Sequence, residues 1–472
     1  MSTAGVRRGL VLGSPRELGT VGLVAGLCGA YAGVLVTASS LLTAMATQTD
    51  GQTSAGLMLA VVSTVFILIA VYVSAVVIVN AVDTVVAGRL RQIALLRLLG
   101  ARPATLRGSV MRSAGAVGAL GAVAGAVLGV LATDVFRIVL VHRGTLPGVT
   151  YPVTSSFLLA PVATISFMAL AAGWVGSRSV LRVTAAQALT GAEGAAPAPD
   201  RSTSVVRAAF AIVLMAGGAL VLVAAAWLGE RGSLAGFLAA FVGAATSGTG
   251  LLIGARFVVP RLVALAGRLL GSDPPSRVAR RNAVADPLRT TRSTMGLVIG
   301  VTLVTTIASG MRALQVSVDS WTGLTAEQRA ETHTVLSTMT SILVAIVVIS
   351  CVISAVGFVS TMSLTVIQRR REIGLLRALG FTGAQVRSMV TKESAALAGT
   401  AVAFGLALGL GYGSVGAQSL VGFQTDGFVW GLPWAVLGTV AVVGLLLVLV
   451  AAAPPARRAV AIAPVQALHV DR

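Results

Sequence analysis

Two arginine-bearing decapeptides carry the most pointed chemistry in this chain. "RQIALLRLLG" starts at Arg91 and "REIGLLRALG" at Arg371. Each sets two guanidinium groups six residues apart, Arg91 with Arg97 and Arg371 with Arg377, around leucine and isoleucine, and each ends on glycine. Guanidinium groups offer forked donors to carboxylates, and the apolar residues between them supply area to bury, so the pattern suits docking rather than bond making. From Arg91 to Arg107 and from Arg371 to Arg387, nine of seventeen positions are identical without a gap, which points to duplication. Anchoring a chain in a bilayer requires positive charge alone. It does not require the same leucines, glycine and following helix start twice.

Groups that would make or break bonds are scarce by comparison. A P-loop needs a glycine-rich turn ending in Gly-Lys-Ser/Thr, and the only lysine, Lys392, follows Thr391 instead. His142, His333 and His469 stand far apart, and neither Gly-x-Ser-x-Gly nor His-Glu-x-x-His occurs. Cys28 and Cys351 lie in apolar runs without metal-ligand spacing and read as small packing residues. We therefore expect no catalytic residue, no metal and no ATPase site in this chain.

The elements that must carry the decapeptides are membrane spans. The chain has 472 residues, 56% of them hydrophobic and 11% charged, with a mean hydropathy of +0.92. Apolar runs of about twenty residues, the length that crosses a bilayer as helix, recur along it. About ten spans follow, at roughly 18–43, 56–86, 108–133, 154–176, 205–228, 233–257, 293–313, 336–366, 390–415 and 430–453. The first is too long for a signal peptide and reads as a retained helix. The expected class is an all-α polytopic membrane protein.

Charge placement sets the orientation. The net charge of +19 falls in alternate loops, and with both termini cytoplasmic about thirty of the 35 basic residues lie inside. Arg137, Arg143, Arg231, Arg312 and Arg329 remain outside, with Asp50, Asp134, Glu230, Asp319, Glu327, Glu331 and Asp426. No soluble basic domain exists to bind nucleic acid. Asn80 and Asp83, near the inner end of the second span, read as interfacial structural residues, as do Lys392 and Glu393 at the start of the ninth. No chain of intramembrane carboxylates suggests proton or sodium coupling.

The duplication organises the whole chain. Gly125 and Gly129 fall opposite Gly405 and Gly409, "AAQAL" at 185–189 resembles "PVQAL" at 464–468, and "SPRELGTVGLVAG" at 14–26 resembles "DPLRTTRSTMGLVIG" at 286–300. The expected division is a first four-helix repeat at 1–190, a Gly/Ala/Pro-rich linker at 191–204, two connecting helices at 205–257, a basic cytoplasmic segment at 258–292 and a second four-helix repeat at 293–472. Within each repeat the decapeptide continues the second span and ends at a bend. Gly100 and Gly380 sit where a helix takes a left-handed C-terminal residue. A new helix then starts, with capping-box spacing at Thr382 and Gln385 in one copy and Pro103 at the first helical position in the other. Gly121, Gly125 and Gly129, with Gly405, Gly409 and Gly413, put small residues four apart on the third and ninth spans, as at close helix-packing interfaces.

The segment R-E/Q-I-x-L-L-R-x-L-G, followed by a short helix and a glycine-rich span, resembles the signature of FtsX/MacB-like permeases. These are the membrane subunits of type VII, or mechanotransmission, ABC transporters. The resemblance covers residues 56–189 and 336–468. It implies that the segment after the second span of each repeat docks on a separate ATPase of the MacB, LolD or FtsE type. Carried onto this sequence, it assigns Arg91, Gln92, Arg97, Gly100 and Arg107 to one ATPase contact. It assigns Arg371, Glu372, Arg377, Gly380, Thr382 and Arg387 to the other. Gln92 stands where the family carries glutamate, so one contact is expected to have one charge-assisted bond fewer.

The layout of four, two and four helices resembles BceB-type permeases, which carry a large extracytoplasmic domain. Here the longest outer loops cover only about 44–55 and 314–335, too short to build a core. The resemblance implies two ATPase copies per chain, ATP and magnesium bound by those partners, and a place in the bacterial plasma membrane. Its cargo would be hydrophobic or amphipathic, such as lipid, lipopeptide, peptide antibiotic or haem, moved outward. The competing expectation is a signalling module whose ATP-driven shape change regulates a partner protein.

Overall fold

The computed structural model of the chain describes residues 21–34, 103–142, 158–182, 201–321, 370–425 and 427–442. It also describes parts of 36–40, 61–82 and 325–337, and residue 446. The first decapeptide, Asn80, Asp83, Asp426 and Cys351 lie outside the described residues. Among the described residues all regular structure is helical. Five of those helices are long and apolar enough to cross a membrane. The chain is an all-α polytopic membrane protein, as hydropathy indicates.

The chain divides into two compact units, residues 1–201 and 202–472. The first contains α1 (Val21–Val34), short helical pieces between 61 and 82, α2 (Pro103–His142) and α3 (Leu159–Arg182). Its core joins Val21, Ala25 and Cys28 of α1 to Ile78 and Val82, to Leu106, Val110, Ala114 and Ala122 of α2, and to Ile165, Ala169 and Ala172 of α3. Cys28 is a buried free thiol in that core, a packing residue. Pro103 opens α2, whose 40 residues run without a break through the third span. At 1.5 Å per residue that helix is about 60 Å long, twice the hydrocarbon thickness of a bilayer, so it projects well beyond it.

The second unit contains α4 (Arg201–Glu230), α5 (Ala235–Leu269), α6 (Pro274–Ala285), α7 (Pro287–Ser320), α8 (Arg370–Ala378) and α9 (Gly383–Val421). A short 3-10 turn (Gly422–Gln424) and α10 (434–442) follow. The two connecting helices, α4 and α5, pack with the second repeat. Ser247 of α5 shares a 2.6 Å hydrogen bond with the Tyr412 hydroxyl of α9. The basic stretch 258–292 is helical for most of its length. Helix α5 continues through Pro260 to Leu269, and α6 and the start of α7 complete it.

The six small-residue positions singled out on the third and ninth spans all lie at helix crossings. A methyl group added to Gly125 would fall on the carbonyl oxygen of Gly26, and one on Gly129 on that of Ala30; one on Gly121 would sit 2.5 Å from the carbonyl oxygen of Gly22. In the second unit a methyl group on Gly405 would sit 2.8 Å from the Val301 side chain, one on Gly409 would overlap the Thr305 side chain, and one on Gly413 would overlap the Thr306 carbonyl oxygen and crowd the Gly310 amide nitrogen. The duplicated glycines thus make duplicated contacts, α2 running alongside α1 and α9 alongside α7. Backbones come this close only where no side chain separates them.

Non-helical backbone also enters the second unit. Gly431 and Pro433 are buried although residues 428–433 form no regular structure. Gly431 has its carbonyl bonded by the Ser309 hydroxyl at 2.7 Å and its amide donating to Ser414 Oγ at 3.2 Å. Two serines thereby satisfy both backbone polar groups of Gly431, which apolar surroundings would otherwise leave costly.

Candidate functional site

The second decapeptide forms α8, and its composition explains why. Glu372 lies in the first turn and Arg377 in the last, each complementing the helix dipole. Ile373 points inward and is 2% exposed. It packs with Ala279 of α6 and with Val386, Met389 and Val390 of α9, and Leu376, Phe381 and Val278 close the cluster's edge. Burying that face leaves the other side of α8 open. Leu375 is 52% exposed and Leu379 74% exposed, four residues apart on one stripe. Arg377 is half-buried beside them, and Glu372 and Arg387 are exposed.

The bend after α8 is built from backbone. Gly380 has φ +98°, a conformation that side chains disfavour. Its amide donates to the Arg377 carbonyl at 3.1 Å, while the Phe381 amide donates to the Leu376 carbonyl at 3.0 Å. That bond pair is the Schellman stop, and Leu376 and Phe381 make its apolar closure. Helix α9 begins at once. The Gln385 amide donates to Thr382 Oγ1 at 3.2 Å, and the Thr382 amide donates to Gln385 Oε1 at 2.9 Å. Both caps anticipated from spacing are present. Replacing Gly380 by alanine is expected to cost about 1 kcal/mol at the bend. Hydrogen exchange at the Gly380 and Phe381 amides should quicken about five-fold, with a smaller change for Gly380→Asn.

Of the remaining contact residues, Arg371 lies within α8, and Arg91, Gln92, Arg97 and Gly100 lie outside the described residues. Arg107 is engaged within the first unit, its guanidinium 4.6 Å from the centre of the Trp174 ring. Arg107 therefore braces α2 against α3, a role that its position after the decapeptide does not reveal.

At the foot of α9, Lys392 and Glu393, marked in the sequence as interfacial structural residues, belong to a polar cluster whose other members the sequence did not indicate. Lys392 Nζ donates to Asp273 Oδ1 at 2.6 Å and to Ser276 Oγ at 2.9 Å, and Ser276 also bonds Asp273. Buried Glu393 lies beside it, with Gly267, Arg280 and Ala396, around a cavity of about 10 Å³, room for one water. The cluster ties the loop after α5 and the start of α6 to the helix carrying the α8 bend. The Lys392 and Ser276 bonds hold the Asp273 carboxyl below its ordinary range. A depressed carboxyl contributes stability above its unfolded pKa, and that contribution disappears as pH falls through the folded value. The difference in thermal midpoint between wild type and Asp273→Asn should be present at neutral pH and close below about pH 4.

Comparison with known proteins places this geometry. The sequence model described as FtsX-like permease C-terminal matches residues 61–185 and again 344–464, each stretch taking in one decapeptide. The chain belongs to the FtsX-like permease family. It is 38% identical over 88 residues to the uncharacterized ABC transporter permease MJ1507 of Methanocaldococcus jannaschii, covering 18% of this chain and 22% of that one. It is 28% identical over 137 residues to the uncharacterized ABC transporter permease YknZ of Bacillus subtilis, covering 29% of this chain and 33% of that one. The chain thus spans at most a third of the length of these curated relatives. An FtsX-like permease with two family matches in one chain accounts for the duplicated decapeptides.

Proposed function

We propose that this FtsX-like permease is the membrane-spanning subunit of an ABC transporter, docking two separate ATPase subunits of the MacB, LolD or FtsE type. The ATPases bind ATP and magnesium, and this chain contributes no catalytic group. The observation that carries the reading is the exposed Leu375–Leu379 stripe on α8, on a helix that also bears Glu372 and Arg377 and is followed by two helix caps. Such a stripe is an apolar anchor with a charged rim, the anatomy of a protein contact. Helix α8 is joined to α9 by one rigid bend, so movement imposed on α8 is delivered to a 39-residue helix.

Because both contacts lie in one chain, one permease takes two ATPases, with α8 as one contact and residues 91–100 as the other. Both termini face the cytoplasm of a bacterial cell, and the protein resides in its plasma membrane. Hydrolysis drives outward movement of a hydrophobic or amphipathic molecule taken from the bilayer, of the lipid, lipopeptide, peptide-antibiotic or haem class. Affinity purification of the full chain co-expressed with candidate ATPases tests the docking. Two ATPase copies per chain are expected, and they should be lost in the Arg97→Glu, Arg377→Glu double variant. Failure of every ATPase to associate, or association that survives the double variant, overturns the proposal. With the complex in hand, stimulation of its ATPase rate by one member of a lipid, peptide and haem panel supports transport. No stimulation by any of them favours the signalling module.

A further inference from the structure

Helix α6 is twelve residues long and so spans about 18 Å, and it lies across the second unit. At its start, Asp273 and Ser276 meet Lys392 of α9. At its middle, Ala279 packs with Met389 and Val390. Beyond its end, α7 runs beside α9 in the same direction, Val301 level with Gly405 and Gly310 with Gly413. Counting back along that ladder puts Pro287 level with about residue 391 of α9. Start, middle and end thus sit within roughly one turn of one another along α9, so α6 is set crosswise at the level of Lys392. That level is the basic edge of the apolar span, the depth of phospholipid headgroups.

The two faces of α6 differ in kind. Pro275, Ser276, Ala279 and Ala283 are buried against the unit. Pro274, Arg277, Arg281, Val284 and Ala285 are exposed, and Leu288 continues that surface at the start of α7. Arg277 donates through Nε to the Ser272 carbonyl oxygen at 2.8 Å, no described carboxylate pairs with Arg277 or Arg281, and the nearby carboxylate of Asp273 is taken by Lys392. A crosswise helix presenting arginines next to Val284 and Leu288, at headgroup depth, matches an anionic lipid in charge and polarity.

We propose that α6 is an interfacial helix that selects anionic phospholipid headgroups through Arg277 and Arg281, with Val284 and Leu288 against the acyl chains. The site lies apart from the exposed leucines of α8, and its test contains no ATPase, so it stands or falls independently of the docking proposal. The full-length Val284→Trp variant is reconstituted in phosphatidylcholine nanodiscs containing brominated phosphatidylglycerol or, at equal mole fraction, brominated phosphatidylcholine. Subtracting the signal of the parent protein isolates the new tryptophan. Quenching by brominated phosphatidylglycerol should exceed that by brominated phosphatidylcholine about two-fold or more, and high salt should reduce the excess. The excess should vanish with Arg277→Gln and Arg281→Gln and persist with Arg277→Lys and Arg281→Lys, which also shows that the helix is folded. Equal quenching by the two lipids would mean no headgroup selection, and quenching by neither would mean that the face does not meet the bilayer. Either result overturns the proposal.

Discussion

Aspartate at Leu375 and Leu379 together is expected to reduce ATPase association at α8 by about 100-fold or more while the permease remains folded. Both leucines are exposed in the isolated chain, at 52% and 74%, and contribute little to its core. Exposed positions change stability by about 0.5 kcal/mol or less, and carboxylates in the last turn of α8, set against the helix dipole, add roughly 0.3 to 1 kcal/mol. In a docked complex the same residues would be the only large apolar anchors on the outer stripe of α8. Burying two unpaired carboxylates there removes the contact. The measurement is the fraction of ATPase retained on affinity-purified permease, with the thermal midpoint of the permease recorded alongside. Ile373→Asp supplies the contrast. That residue is 2% exposed, so its substitution should lower the midpoint as well. The matching positions Leu95 and Leu99 test the first contact. Gln92 predicts that it is the weaker of the two.

Alanine at Gly409 is expected to destabilise the second unit by about 1 to 3 kcal/mol, whereas alanine at Gly411 stabilises it by about 0.5 to 1 kcal/mol. The two glycines lie two residues apart on α9. A methyl group on Gly409 would overlap the Thr305 side chain and sit 2.8 Å from the Thr302 carbonyl oxygen and 2.9 Å from the Thr306 amide nitrogen. Two of those three neighbours are backbone, so relief requires α7 and α9 to separate. Among the described residues no atom lies within 4 Å of a methyl group on Gly411, and the general helix preference for alanine operates there. Thermal unfolding of the detergent-solubilised chain reads both. Changes of equal sign at the two positions would show that the α7–α9 crossing is looser than the structure has it. Gly125→Ala repeats the experiment in the first unit, where the methyl group would overlap the Gly26 carbonyl.

These glycines show how much of the fold was legible. Four-residue spacing of small side chains placed them on one helix face, and the repeat announced that the face occurs twice. The partner helix was not written in the spacing. That Gly125 meets α1 and Gly405 meets α7 depends on which surfaces the folded bundle leaves available. The bend at Gly380 was legible because it is local: a left-handed glycine, a threonine cap and a glutamine three residues on are decided within about ten residues of chain. Arg107 was legible only as a charge following a repeat. Its ring partner, Trp174, comes from another helix.

The sequence alone determined the class of this protein, its duplication, the helix starts at Pro103 and Thr382, and the bend at Gly380. Hydropathy over twenty residues and hydrogen bonds across three or four depend on neighbours in the chain. Tertiary structure decided which leucines of α8 face outward, since Ile373 and Leu375 are alike in composition and differ only in what α6 and α9 cover. It also decided that Lys392 meets Asp273 and Ser276 across 119 and 116 residues, and that Ser309 and Ser414 serve the backbone of Gly431. Pairings at such separation exist only once packing has brought distant segments together.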